Sequence, residues 1–400
     1  MDFSSLLSGI GVIVDDDVES QPAKIRKIIS QLESRDIPYV TFGKIPSDTS
    51  IQNFTNVSFI LFDWNLHNVG SEIAEDELQG LVAPEGLATH FVDENIQFLK
   101  KIREVCFCPI FIFSNEKVDI INSELRKNGL VKDERSDHIF VRSKSDISEE
   151  GSLFKVIDEW IKGNSVIYVL KEWEKEYFRA KNKLFFDYYN DSPNWPKIMW
   201  KTFKHDGVNQ SRELGDLISH NIHTRMSPFE FNDEILENSI TSEKEELISV
   251  LEGSRYIKKE NLHENNISPG DLFCIDKKFY INIRASCDLI PRSSGSEGNF
   301  GEVELYLLRG SKLSHGNLKK IYREKHGVLE EQDAHFIAYP VFEGKAIDFK
   351  FKELFLKPWK DIESKRVGRL LPPFINKLQQ KYSLYLQRQG LPRLPASIFS

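Results

Sequence analysis

Phe59-Ile-Leu-Phe-Asp63 is a run of four apolar residues that ends in an aspartate. A run without alternating polar positions is typical of a strand that is buried on both faces, as in a parallel sheet covered by helices. Two more apolar runs end in the same way, at residues 11–14 before Asp15 and at residues 109–113 before Ser114. The sequence therefore predicts buried parallel strands with polar side chains at their carboxyl ends.

Helical periodicity separates these strands. Apolar residues recur at spacings of three and four in the segments 25–32, 92–105, 118–125 and 153–161. Strand patterns at 138–141 and, more weakly, at 38–42 bring the number of predicted strands to five. Alternating strands and helices predict an α/β domain over residues 1–163 with a doubly wound, five-stranded parallel sheet. An insertion rich in Gly, Glu and Asp at 65–90 is expected to form a solvated surface loop.

The pattern becomes helical after Gly163-Asn164, and we expect a helical connector or regulatory region over residues 164–265. Its first helix carries apolar residues that step by four and three, as in a heptad seam. They are Val166, Leu170, Trp173, Tyr177, Ala180, Leu184 and Tyr188. This spacing fits either a dimerising signalling helix or an amphipathic helix that packs on its own domain.

Residues 266–400 have the pattern of a β-rich α+β domain that closes with a helix. Apolar segments at 272–275 and 279–283 flank Asp276-Lys-Lys278 and predict a β-hairpin. Pro340 interrupts a later strand and predicts an edge or bulged strand, because proline cannot donate a ladder hydrogen bond. The apolar side of the final helix would carry Phe374, Leu378, Tyr382 and Tyr385.

The composition is that of an ordinary globular protein, with 40% hydrophobic residues, 28% charged residues and a formal net charge of -8. This mild acidity does not favour a nucleic-acid partner. No apolar run approaches the roughly 20 residues that span a bilayer and no signal peptide is evident, so we expect a cytoplasmic protein without a membrane partner. The four cysteines lack the spacing of a zinc site or a disulfide scaffold and are expected to be buried, reduced thiols.

The polar residues at the strand ends form one chemical set. The carboxyl ends of parallel strands lie at the same edge of a sheet, where such sheets bind their ligands. Asp15-Asp16-Asp17, Asp63, Ser114 and Lys144 would therefore meet there. Clustered carboxylates repel one another unless a cation lies among them, and short oxygen ligands favour Mg2+. A hydroxyl and an ammonium on the opposite side could stabilise a phosphoryl group during its transfer.

This ordered set resembles the receiver domain of two-component response regulators, which has a flavodoxin-like fold. The resemblance covers about residues 1–162 and rests on Val14-Asp15-Asp16, Phe62-Asp63, Phe113-Ser114 and Lys144, each at the end of its strand. Two positions differ from the usual pattern. Ser145 follows the lysine where the family has proline, and Val141 stands where many members have an aromatic residue.

The resemblance implies a role for each residue of the set. Asp63 would be the phosphoacceptor, Ser114 the switch hydroxyl, and Lys144 the lysine that binds the phosphoryl and carboxylate groups. The implied Mg2+ ligands are Asp15, Asp16, Asp63 and the backbone carbonyl of Asn65. The implied donor is a sensor histidine kinase, and the protein would have at most an autodephosphorylation activity of its own.

A phosphatase of the haloacid-dehalogenase type is a rival interpretation, with Asp63 as the nucleophile. That family needs an aspartate two residues later as the general acid, where this chain has Asn65. The acidic cluster of this chain also precedes the nucleophile instead of following the lysine. Both features favour the receiver interpretation.

The function of the region after residue 165 has several interpretations. Two passages, 269–289 and 369–393, resemble uncharacterised bacterial response-receiver proteins, which often occur beside kinase genes in phage-defence or conflict loci. We expect a phosphorylation-responsive signalling protein that relays its state to a C-terminal module, which binds an effector protein or a second copy of the chain. The alternatives are a DNA-binding transcriptional regulator with an unrecognised output domain and a receiver-gated enzyme.

Overall fold

The structure, a computed structural model, describes residues 6–18, 23–66, 85–132, 137–147, 151–237, 243–264, 266–290, 302–331 and 333–389, with Pro395 and Ile398. The chain divides into two compact units, Met1–Asp191 with Ser219–Ser239 and Ser192–Ile218 with Ile240–Ser400. The helical region expected over 164–265 is therefore shared between the two units. Most of the insertion expected as a loop at 65–90 lies outside the described residues.

The first unit is built on an all-parallel sheet. Its strands are β1 (Ile10–Val14), β2 (Tyr39–Phe42), β3 (Val57–Phe62), β4 (Ile110–Ser114) and β5 (Ile139–Ser143). The helices up to the end of its main segment are α1 (Ala23–Glu33), α2 (Asp48–Ile51), α3 (Glu85–Val105), α4 (Val118–Lys127), α5 (Ser152–Gly163) and α6 (Ser165–Asp191). The strand order is β2-β1-β3-β4-β5, which confirms the predicted five-stranded parallel sheet and is consistent with a flavodoxin-like α/β domain.

Both faces of this sheet are covered by helices. Successive side chains of a strand point to opposite faces. Phe59 and Leu61 of β3 pack in one core with apolar residues of α1 and α5, whereas Ile60 and Phe62 pack in a second core with residues of α3 and α4. This two-sided burial explains why the strand has no polar positions.

Helix α6 packs on its own unit through part of its apolar surface. Ile167 and Tyr168 are buried in the core that contains α1 and α5. The Tyr168 hydroxyl accepts a hydrogen bond of 2.9 Å from the backbone amide of Asn232. Ala180 and Leu184 are also buried. These contacts are those of an amphipathic helix that packs on its own domain, whereas Val166 and Trp173 of the predicted seam are exposed. The dimerising helix stays a prediction.

The remaining elements lead to a second, antiparallel sheet. The helices are α7 (Trp195–His205), α8 (Gln210–Arg225), α9 (Asp233–Leu236), α10 (Lys244–Gly253), α11 (His315–Ile321) and α12 (Phe374–Gln387). The strands are β6 (Tyr256–Lys258), β7 (Asp271–Ile275), β8 (Lys278–Asn282), β9 (Glu304–Leu313), β10 (Tyr322–Arg323), β11 (Val328–Leu329), β12 (His335–Val341), β13 (Lys345–Pro358) and β14 (Arg366–Leu370). Seven strands form a sheet in the order β12-β13-β9-β8-β7-β14-β6, and β10 pairs with β11. This confirms a β-rich C-terminal region.

Two local predictions in this sheet are also confirmed. Strands β7 and β8 form the expected hairpin, and its two turn residues, Asp276 and Lys277, both have positive φ, as a tight hairpin turn requires. Strand β12 lies at the sheet edge and changes register between Ala338 and Val341, on either side of Pro340. Proline is tolerated there because an edge strand leaves one side of its backbone without a ladder partner.

The sequence predicted that the four cysteines are buried, reduced thiols. The four thiols are free, but only Cys108 is buried; Cys106 and Cys274 are half-buried and Cys287 is exposed. The expectation of buried thiols is therefore wrong for Cys287, which lies in a short surface turn.

Among the described residues, no helix combines the length and the apolar character that crossing a lipid bilayer requires.

Candidate functional site

Four buried polar side chains lie at the carboxyl edge of the parallel sheet. Asp15 follows β1, Asp63 follows β3, Ser114 ends β4, and Lys144 begins a short 3-10 turn after β5. The ladder continues past the ends of the strands, because the Asp63 amide donates a hydrogen bond of 2.9 Å to the carbonyl of Val14. The sheet therefore fixes the backbone of the aspartates and brings together side chains that are 30 to 129 positions apart.

The ammonium of Lys144 joins two of the carboxylates. Its Nζ lies 2.7 Å from Oδ2 of Asp63 and 3.0 Å from Oδ2 of Asp15. The three side chains are between 3% and 5% exposed. One ammonium thus serves two buried carboxylates, and the group retains one excess negative charge when all three are ionised.

This imbalance shifts the pKa values of the group. Burial raises the pKa of Asp63; the Lys144 ammonium opposes the rise, and the neighbouring Asp15 carboxylate reinforces it. Burial works to lower the pKa of Lys144, but the carboxylates of Asp63 and Asp15 together outweigh it and hold that pKa above its usual value. The ammonium is therefore firmly charged, whereas the charge of the Asp63 carboxylate is only partly compensated.

A group of three carboxylates lies after β1. Asp15, Asp16 and Asp17 each offer an oxygen, and these oxygens lie within 4.8 Å of one another. The amide of Asp17 donates a hydrogen bond of 2.9 Å to Oδ1 of Asp15, which fixes the start of the turn. Carboxylates at such distances repel one another unless a cation lies among them. The triad could therefore hold a metal ion, and its oxygen donors suit a hard cation.

The membership of this group differs from the ligand set implied by the sequence. Asp17 belongs to it, and the sequence interpretation did not assign Asp17 a ligand role. Asp63 is not a member. Its Oδ2 faces Lys144, and its Oδ1 accepts a hydrogen bond of 3.0 Å from the amide of Asn65.

Ser114 contacts the turn after β3. Its hydroxyl donates a hydrogen bond of 2.7 Å to Oδ1 of Asn65 and accepts one of 3.0 Å from the amide of Glu116. The Ser114 side chain is fully buried. The structure therefore brings the side chain of Asn65 into the site, whereas the sequence interpretation used only its backbone carbonyl.

Asn95 on α3 is a site-supporting residue that the sequence interpretation missed. Its Nδ2 donates a hydrogen bond of 2.7 Å to the carbonyl of Trp64, and its side chain is 1% exposed. Trp64 is itself buried, edge-on against Phe62. Asn95 therefore anchors the turn next to Asp63. The available signal was an asparagine beside apolar residues on the inner side of an amphipathic helix.

The turn that carries Lys144 is anchored without proline. Ile147, the last residue of the 3-10 turn, is buried in the core on the α1 and α5 side. The hydroxyls of Ser143 and Ser145 lie 2.8 Å apart on either side of the lysine. Val141 is buried in the opposite core. The contact between the hydroxyls of Ser143 and Ser145 and the buried side chain of Ile147 thus position Lys144.

Comparisons with known proteins give little. No protein-family model matches the sequence, and no curated protein matches it. Among solved structures, a yeast Spc42 trimeric coiled-coil segment fused to another structure has 12% identity and a TM-score of 0.25, covering 39% of this chain and 78% of that one. A de novo designed Rossmann 2x3 protein has 15% identity and a TM-score of 0.21, covering 38% and 90%. Likenesses this weak carry no argument about fold or function.

Proposed function

We propose that this protein is a phosphorylation-responsive signalling protein whose first unit acts as a receiver domain. Asp63 accepts a phosphoryl group from the phosphohistidine of a sensor histidine kinase, and the second unit relays the state by binding a partner protein. One observation supports this most directly. The Lys144 ammonium lies between the buried carboxylates of Asp63 and Asp15 at the ligand-binding edge of the sheet.

Mg2+ is the proposed metal ion. Lys144, Asp15 and Asp63 together carry one excess negative charge, and Asp16 and Asp17 add two more carboxylates beside them. Hard oxygen donors and excess negative charge favour a divalent cation that also binds phosphate oxygens. Asp15, Asp16, Asp63 and the backbone carbonyl of Asn65 are the proposed ligands. The ion would neutralise negative charge on the phosphoryl group.

The proposed transfer uses the side chains that line the sheet edge. An oxygen of Asp63 forms a bond to phosphorus as the nitrogen–phosphorus bond of the phosphohistidine breaks. Lys144, already charged and buried, would then donate to the new phosphoryl oxygens. Ser114 would exchange its hydrogen bond to Asn65 for one to the phosphoryl group. This exchange gives the site two arrangements, which is what a population switch needs.

A small phosphodonor tests the proposal. The full-length protein is incubated with acetyl phosphate and Mg2+, and its intact mass is measured. We expect one added phosphoryl group, which borohydride reduction and peptide mapping locate at Asp63. The Asp63→Asn variant should not gain this mass, whereas Asp146→Asn, a change at an exposed carboxylate of the same sheet edge, should. A mass gain that maps elsewhere, or none with Mg2+ present, contradicts the proposal.

A DNA-binding output is the second candidate, because one exposed segment of the second unit is basic. Between Ser311 and Gly327 it carries Lys312, Lys319, Lys320, Arg323 and Lys325 against a single acidic residue, Glu324. Such a cluster on an acidic protein can contact phosphates. Binding to a labelled duplex that weakens steeply with added salt would favour this candidate. Unchanged fluorescence anisotropy at low salt would exclude it.

A further inference from the structure

Strand β13 continues beyond its neighbour β12. Strand β12 pairs with residues 345–350 of β13, whereas residues 354–358 pair with β9 alone. No described strand lies on the other side of residues 354–358, which we call the open edge. Leu354, Phe355 and Leu356 are 38%, 40% and 52% exposed, and Lys357 is exposed as well. Because successive strand residues point to opposite faces, the open edge is accessible on both faces of the sheet.

The backbone groups at two positions of the open edge point away from β9. The amide of Trp359 donates a hydrogen bond of 2.8 Å to the carbonyl of Val303, and the register is unbroken from there back to Leu354. Bonded and non-bonded pairs alternate in an antiparallel ladder, so the positions two and four residues before Trp359 also bond to β9. The amides and carbonyls of Leu354 and Leu356 therefore face outward, where a further strand can pair with them.

Strand β12, at the end of the same sheet, is covered by side chains. The amide of Ile337 donates a hydrogen bond of 2.7 Å to Oε1 of Glu331, and the carbonyl of Tyr339 accepts one from Arg255. Among the residues that the structure describes, no side chain makes such a contact with the backbone of the open edge. An exposed strand edge with apolar side chains is a template for pairing with another chain.

We propose that the open edge pairs with the open edge of a second copy of this chain. The two strands would run antiparallel, with a two-fold axis beside Phe355. Leu354 of each copy would then lie opposite Leu356 of the other, and each of these pairs would exchange both backbone hydrogen bonds. An interface of this kind uses the same surface of both copies and closes after two.

The charges beside the axis favour this register and favour a second copy as the partner. Glu353 and Lys357 lie two positions before and after Phe355, so each carboxylate would face an ammonium of the other copy. The Glu353 carboxylate lies 2.9 Å from Arg309, and its side chain is still 31% exposed. Opposite charges at facing positions stabilise a strand pair, and moving the axis by one residue would lose both charge pairs.

The apolar surface beside the open edge supplies a driving force for the pairing. Leu356 lies opposite Tyr306 of β9, which is 37% exposed. A second strand would cover part of this surface and remove it from water. Pro358 has no amide to donate, and the ladder changes register before Leu354. These two features limit the open edge to a short segment, which suits one specific pairing.

Sedimentation equilibrium of the full-length protein tests the pairing. As the protein concentration increases, we expect the mean mass to rise from that of one chain towards twice that value. Leu356→Pro removes an outward amide but no bond to β9, and proline is tolerated at such an edge position. This variant should keep the mass of one chain and an unchanged circular dichroism spectrum.

Mixing two charge variants tests the register and the identity of the partner. Lys357→Glu alone should stay a monomer because carboxylates would face carboxylates, and Glu353→Lys alone should do so because ammoniums would face ammoniums. An equal mixture of the two should regain the mass of two chains, since every carboxylate then faces an ammonium. Lys278→Glu is the control with the same charge change at an exposed position of β8, and it should pair as the unaltered protein does.

The proposal is wrong if the unaltered protein keeps the mass of one chain at every concentration. It is also wrong if a dimer forms but the charge variants dimerise as well alone as in the mixture, because the copies then meet through another surface. The mixture decides the matter even if Leu356→Pro fails to fold. The pairing does not depend on the phosphoryl chemistry proposed for Asp63, so Asp63→Asn should dimerise like the unaltered protein and the two proposals can fail separately.

Discussion

The ammonium of Lys144 lies 2.7 Å from Oδ2 of Asp63, and both side chains are almost fully buried. The same ammonium lies 3.0 Å from Oδ2 of Asp15. Because a single buried cation is shared by two carboxylates, the site has an excess of negative charge. We expect this excess to affect the stability of the first unit, its affinity for cations and its proposed phosphoryl chemistry.

Replacing Lys144 with methionine leaves Asp15 and Asp63 facing each other without their shared ammonium. Removing one partner of a buried ion pair costs about 3–5 kcal/mol, so we expect the free energy of unfolding at neutral pH to fall by about 3 kcal/mol. The loss should shrink in acidic buffer, because a protonated Asp63 no longer repels Asp15. Urea unfolding of both proteins measures the difference.

The control for that variant is Lys155→Met. Lys155 is an exposed residue of α5, and exposed substitutions usually change stability by less than about 0.5 kcal/mol. A loss of equal size in the two variants would show that the Lys144 contacts contribute nothing specific.

Replacing Asp63 with asparagine should stabilise the metal-free protein. A carboxyl group whose pKa is raised in the folded state stabilises the fold below its unfolded pKa, and this contribution is lost as the pH rises through the folded pKa. Burial raises the pKa of Asp63, so the ionised side chain costs stability at neutral pH. We expect Asp63→Asn to raise the melting temperature at neutral pH and to lose this gain in acidic buffer. A melting temperature that falls at neutral pH would refute the charge imbalance.

The hydrogen bond between Ser114 and Asn65 should be measurable as a coupling energy. A double-mutant cycle with Ser114→Ala and Asn65→Ala isolates the contact from the other interactions of each side chain. For a part-buried hydrogen bond of 2.7 Å we expect a coupling of about 1 kcal/mol in the free energy of unfolding. Additive effects of the two substitutions would mean that the contact is not formed.

We expect Asn95 to affect the phosphorylation of Asp63 indirectly, through the turn that carries Asp63. Asn95→Leu keeps a side chain of similar size but leaves the buried carbonyl of Trp64 without its donor, which costs about 1–3 kcal/mol. We also expect slower phosphorylation of Asp63 by acetyl phosphate, because the turn that carries Asp63 loosens. Gln31→Leu, which removes a buried side-chain amide between α1 and α5, is the matched control for lost stability alone. Equal slowing in both variants would reduce Asn95 to a structural residue.

The sheet and its polar edge were predictable because they follow from local patterns. The buried run before Asp63 defines a central parallel strand, and the residue after each strand must lie at the same edge. This places Asp15, Asp63, Ser114 and Lys144 together without any knowledge of side-chain conformations.

The supporting contacts were not predictable in the same way. Asn95 and Trp64 are 31 positions apart, and Ser114 and Asn65 are 49 positions apart. Their hydrogen bonds depend on how the helices pack on the sheet, which no local pattern records. The exposure of Cys287 likewise depends on a short surface turn that follows a buried strand.

The binding of a phosphoryl analogue tests the central claim most directly. Beryllofluoride with Mg2+ mimics a phosphoryl group on an aspartate, and a ligand present at 100 times its Kd stabilises the folded state by about 2.7 kcal/mol. We predict that the melting temperature of the unaltered protein rises by several degrees with both components and that Asp63→Ala abolishes the rise. No shift in the unaltered protein with Mg2+ present, or an equal shift in Asp63→Ala, would contradict a phosphoacceptor at Asp63.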